Sequence, residues 1–263
     1  MSVPELFHHQ HMFFGCLTVQ RRPRTPPGVP GHAASEELAS RLWHRVSATD
    51  VDTDDVLLAT SAFDLELSQR CPALDDEQRC SLQGERKPAI CRVVPLDALR
   101  PDSAQHDVLA GRAVEARYLG SECIVPGERA GFEVVTRRLN VVDAGARDAL
   151  SQRRRDLEAE RSLWGDTVFG MLRADLFESP VALARVPANG FMTLSIAPVL
   201  MALIRETPAS RGRCVAYLEA QSSLAERMLR AVPEVNHAAH PPLRQLALFA
   251  RTNARLHAQL KDS

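Results

Sequence analysis

Apolar positions recur at helical intervals over much of this chain, most clearly in its second half. Between Arg147 and Leu172, the residues Leu150, Leu157, Leu163, Trp164, Val168 and Leu172 keep near-helical spacing with charge on the rest. Ile196–Arg205, Arg213–Ala231 and Leu243–Leu260 follow the same rule, punctuated by Pro208, Pro233, Pro241 and Pro242. Nearer the start, Leu38, Leu42, Trp43 and Val46 form one stripe behind Ser35, a good N-cap, with Glu36 and Glu37 suited to the positive end of a helix dipole. Strand patterning is sparser. Phe132 and Val134 alternate with Glu133, and Leu139 and Val141 with Asn140, which predicts one or two short strands within Phe132–Val142. Val56–Leu67 reads as a strand or a short helix. The pattern predicts a mainly α protein: a loop-rich cysteine module with a few short strands, followed by a helical bundle.

Turn-forming residues divide this pattern into three parts. Residues 1–34 are expected to be a flexible arm, because Arg21–Gly31 holds four prolines and two glycines in eleven positions. Residues 35–145 form the cysteine module and 146–263 the helical region. Asp50, Asp52 and Asp54 alternate as in a calcium loop, but the glycine and the terminal glutamate are missing at their places, leaving a solvated turn. Val186–Ile204 carries no formal charge, yet Pro187, Asn189, Gly190 and Pro198 break it well short of the about 20 continuous apolar residues a membrane span needs. A loop entering a buried helix is expected there, and no membrane segment.

Charge narrows the partners. Thirty-two basic residues face thirty-three acidic ones, for a net charge of -1, so no global basic field points to nucleic acid. Met1–Gly15 lacks the charged-then-apolar order of a signal peptide, which predicts a cytoplasmic protein with reduced thiols.

In such a setting clustered cysteines suggest metal or redox chemistry. Cys71, Cys80, Cys91 and Cys123 are separated by eight, ten and thirty-one residues. Four thiolates close a tetrahedral zinc site or hold an iron–sulfur cluster, and soft sulfur excludes magnesium and calcium. No pair has the two-to-four-residue spacing of a zinc knuckle, so on spacing alone four buried, inert thiols fit as well. The flanking residues add to this. Cys71-Pro72-Ala73-Leu74, then Cys80-Ser81-Leu82, then Arg86-Lys87-Pro88-Ala89-Ile90-Cys91-Arg92 with Pro95, resembles the bacterial cysteine-cluster family described as a zinc- or iron-chelating domain. Flagellin lysine N-methylases carry a related module. Gly127 and Gly131 match the family's downstream glycines, with Cys123 two residues upstream of the family position. The resemblance implies that Cys71, Cys80, Cys91 and Cys123 are ligands to zinc or an iron–sulfur cluster. The family's dense N-terminal cysteine run is absent: Phe13-Phe14-Gly15-Cys16 stands there alone, with Cys16 a conceivable further sulfur.

Two other functions stay open at this level. One is a protein-lysine N-methyltransferase-like enzyme acting on flagellin or another bacterial protein. The other is a metal-free protein-interaction module. No glycine-rich nucleotide loop, nucleophile elbow or H-E-x-x-H motif is present, so no catalytic residue is assigned. His8, His9 and His11, and likewise His237 and His240, read as surface or loop residues, and Cys214 as core. Arg153-Arg154-Arg155, set among Asp148, Asp156, Glu158 and Glu160, reads as a salt-bridged solvent face.

Overall fold

The computed structural model describes residues 1–23, 25–47, 54–62, 71–77, 79–82, 84, 87–118, 124–178, 184, 186, 190–231 and 241–262. It is mainly helical, and its chain divides into two units. One comprises Met1–Pro23, His44–Arg86 and Glu160–Ser263; the other comprises Arg24–Trp43 and Lys87–Ala159. Both draw on separated stretches of chain, so the expected consecutive parts, 35–145 and 146–263, are not the units observed.

The first unit is built on a strand that was expected to lie in a loose arm. In β1 (Cys16–Pro23), Cys16, Leu17 and Val19 are fully buried. It pairs antiparallel with β3 (Asp54–Ala62), from Cys16 opposite Ala62 to Pro23 opposite Asp55. Its other edge takes β6 (Phe191–Ser195), from Cys16 opposite Ser195 to Gln20 opposite Phe191. With β2 (His44–Ser47) on β3, the sheet order is β2-β3-β1-β6. Before β1, α1 (Val3–His8) begins with a capping box: Ser2 Oγ accepts from the Glu5 amide at 3.4 Å, while Glu5 accepts from the Ser2 amide at 2.7 Å. Buried Val3 and Leu6 hold it to the core. Met1–Pro23 is therefore structural, and only the Pro/Gly-rich stretch after it keeps the expected turn character.

The predicted C-terminal helices are present as α7 (Ala197–Glu206), α8 (Arg211–Ala231) and α9 (Pro241–Asp262). Leu224 and Ala225 of α8 and Leu246 and Phe249 of α9 form one core cluster with Phe14 and Cys16. The edge strand β6 is tied to α9 by Gln245 Nε2, which donates to the Thr193 carbonyl at 3.2 Å. No helix among the described residues is long and apolar enough to cross a membrane.

The long helix predicted over Arg147–Leu172 is longer and interrupted. α5 (Ala144–Glu160) and α6 (Asp166–Leu172) are joined by a π-helical turn at Arg161–Gly165, and a second such turn follows at Arg173–Phe177. Each wide turn shifts the buried face, which lets Trp164, Val168 and Phe177 all reach the interior while Leu163 stays 42% exposed.

In the second unit, α2 (His32–Leu42) starts three residues before Ser35, from a left-handed Gly31 with φ of 83°. Ser35 instead lies inside the first turn, its amide bonded to the Gly31 carbonyl at 2.9 Å. The predicted stripe is buried, but it is shared out: Leu38 and Leu42 belong to α2, Trp43 ends it in extended conformation, and Val46 lies in β2. Arg41 holds Glu158 of α5 by two hydrogen bonds of 2.6 and 2.8 Å. The short strands expected in Phe132–Val142 are a hairpin, β4 (Thr136–Arg137) and β5 (Asn140–Val141). Beside them stand α3 (Ala89–Val93) and α4 (Gln105–Tyr118).

Candidate functional site

Cys71 and Cys80 flank a small closed loop in the first unit. The Ser81 amide and hydroxyl both donate to the Ala73 carbonyl, at 2.8 and 2.9 Å, and Leu74 pairs with Cys80 in an isolated antiparallel bridge. Asp75 organises the tip, its Oδ1 accepting from the amides of Glu77 and Arg79 at 2.9 Å each. Such a carboxylate-to-backbone turn explains why an acidic stretch separates these cysteines. Ala73 and Leu82 anchor the loop by burial, while the Cys71 side is exposed and Cys80 is half-buried.

Cys91 sits in the first turn of α3. Pro88 is extended there and its carbonyl accepts from the amides of Cys91 at 2.9 Å and Arg92 at 3.1 Å, which starts the helix. Buried Val93 and Leu96 fix its far side, leaving Cys91 half-buried. The Arg92 guanidinium donates to the Lys87 carbonyl at 2.8 Å.

The described cysteines therefore fall into two populations. Cys16 and Cys214 are fully buried, and burial pushes the Cys214 thiol up. Cys71 is exposed, and Cys80 and Cys91 are half-buried. The structure places Cys71 and Cys80 in one unit and Cys91 in the other, and Cys123 lies outside the described residues. Among the described residues, no three His, Cys, Asp or Glu side chains gather as a metal cage.

Two expectations about polar residues need correction. His9 is only 8% exposed, its ring edge-on to Phe13 at 6.0 Å, whereas His8 and His11 are exposed. The Arg153–Arg155 run is no uniform solvent face, because the α5 periodicity turns its members in different directions. Arg153 is 4% exposed, and Arg154 reaches the carbonyls of Ala98 and Arg100 and the Asp102 carboxylate, at 3.2, 2.6 and 2.7 Å.

One polar constellation has no counterpart in the sequence reading. His44 of β2, 7% exposed, puts Nε2 at 2.7 Å from Asp166 Oδ1 at the start of α6. Its ring stacks on Phe169 at 4.3 Å, and Phe169 stacks on Phe177 at 4.8 Å. Burial lowers the His44 pKa, against the raising effect of the Asp166 bond, and the Arg161 charge lowers it further. No motif spacing announces two residues so far apart in the chain.

The chain matches no family model, no curated protein and no solved structure.

Proposed function

We propose that this chain is a cysteine-ligated metal protein, with Cys71, Cys80, Cys91 and Cys123 supplying thiolates to zinc or an iron–sulfur cluster. The observation that carries the reading is the split between its cysteines. A cysteine kept only as a small hydrophobe belongs in the core, as Cys16 and Cys214 do. Cys71, Cys80 and Cys91 instead sit on or near the surface, on a closed loop and a first helical turn whose backbones are internally bonded. Thiolates must be reachable to bind metal, and partial exposure of these three supports that need. A closed set of four sulfurs leaves no coordination position for substrate, so zinc there acts structurally; a cluster carries electrons. The reading takes a reducing, cytoplasmic setting, in which such thiols stay available to metal, and another bacterial protein as the partner.

Metal content and absorption of protein purified without oxygen test the reading, alongside a Cys71→Ser/Cys91→Ser double variant. About one zinc per chain, lost in the variant with a lower melting point, supports the structural site. Iron with acid-labile sulfide and a brown chromophore supports the cluster. Metal at background level in the wild-type chain overturns both and leaves a metal-free interaction module.

A further inference from the structure

The second unit contains a cavity of about 550 Å³ bounded by α4, the loop over residues 124–135 and the β4–β5 hairpin. This lies within the size range of small-molecule sites. Its wall is apolar: Leu109, Ala113 and Val114 from α4 face Phe132 and Val134 from the loop. Val114 is 62% exposed and Phe132 39%, an accessible apolar surface that a site for a small apolar body requires.

Of the three arginines on the rim, Arg138 is the available handle. Arg137 is taken by Glu128 at 2.6 Å, and the Arg129 guanidinium lies over the Phe132 ring at 5.5 Å. Arg138 also lines the cavity and makes no ion pair among the described residues. It occupies the hairpin turn with φ of 55°, the one described non-glycine residue in left-handed conformation. Glycine or asparagine relieves that strain at a hairpin turn, so a guanidinium held there is unfavourable for the fold alone.

We propose that this cavity binds an apolar monocarboxylate, its hydrocarbon or aromatic body against Leu109, Ala113, Val114 and Phe132 and its carboxylate on Arg138. The charge on the rim selects a monoanion. Glu133 lines the same cavity, and a phosphate dianion would set a second negative charge beside it that Arg138 alone does not offset. The site stands apart from the metal reading and does not rest on it.

Calorimetric titration of the full chain with 4-phenylbutyrate, and with 4-phenylbutanol as its uncharged counterpart, tests the proposal. The acid is expected to bind saturably at one per chain and the alcohol at least about tenfold more weakly, the size of one charge-assisted contact. Arg138→Gly removes the charge and the backbone strain together. It is expected to melt at a higher temperature than wild type and yet bind acid and alcohol alike. Val114→Glu, at an exposed position, is expected to weaken both ligands with unchanged circular dichroism. Absence of saturable binding, or equal binding of acid and alcohol to the wild-type chain, overturns the proposal.

Discussion

His44 and Asp166 form a hydrogen-bonded pair of unequal burial: the imidazole is 7% exposed, while the carboxylate 2.7 Å away is 63% exposed. Among the described residues the buried imidazole Nδ1 has no hydrogen-bond partner, so a second ring proton finds no acceptor there. Burial holds the folded-state pKa of His44 below its ordinary 6.5. Its contribution to stability is complete above 6.5 and is lost as pH falls below that value toward the folded-state midpoint. A pH series of NMR spectra should place the His44 midpoint below 6.5. His44→Phe should flatten the fall in melting temperature between pH 7 and 5, and Asp166→Asn, by removing the opposing charge, should lower the midpoint further.

Gly15 is sterically required. A methyl group there would come within 1.9 Å of Tyr217 Oη. Its amide is bonded to Gln221 Oε1 at 2.7 Å, which resists any retreat of the backbone. Gly15→Ala should cost about 1–3 kcal/mol by overpacking. Tyr217→Phe removes the obstructing atom, a fully buried hydroxyl, and should cost little alone. The double variant should recover most of the loss, a coupling that chemical denaturation measures directly.

Thiol accessibility gives a third expectation. In metal-free protein, Cys71, Cys80 and Cys91 should react promptly with a disulfide reagent, while fully buried Cys16 and Cys214 should wait for unfolding. Mass spectrometry of the labelled peptides assigns each site. Added zinc should protect the first group and leave the slow group unchanged.

The loop before α4 is held by one buried side chain. Gln105, fully buried, accepts from the Asp97 amide at 3.0 Å and donates to the carbonyls of Asp97 and Arg100 at 2.8 and 3.0 Å. Gln105→Leu keeps the volume and leaves those groups unmatched, at a cost of about 1–3 kcal/mol for each one kept buried. Hydrogen exchange should rise at Asp97 and its neighbours. Arg154→Met should do less, since Gln105 still serves the Arg100 carbonyl that Arg154 also binds.

How far the fold could be read from the chain depended on the reach of each signal. α8 and α9 are long, and their apolar residues Leu218, Leu224, Leu246 and Phe249 repeat often enough to declare a buried face locally. The α2 start was misplaced because its cap is a backbone feature, the left-handed Gly31, while Ser35 only resembled one. β1 stayed hidden because the Leu17–Val19 alternation is brief and both neighbours come from distant sequence. The cysteines were visible as candidates by type and flanking residues. Cys214 was legible as core from its apolar helix face, but the burial of Cys16 required the fold, since nothing beside it in sequence sets it apart from Cys71.

The sheet order carries a consequence for how the chain is made. β1 is made before the other strands of its sheet, yet one of its two edges is closed only by β6, after β2 and β3 and most of the helices have been made. Until that strand is synthesised, the Leu17–Val19 segment presents an open edge able to pair with another nascent chain. Premature termination before Phe191 should therefore yield sticky fragments rather than a smaller folded protein.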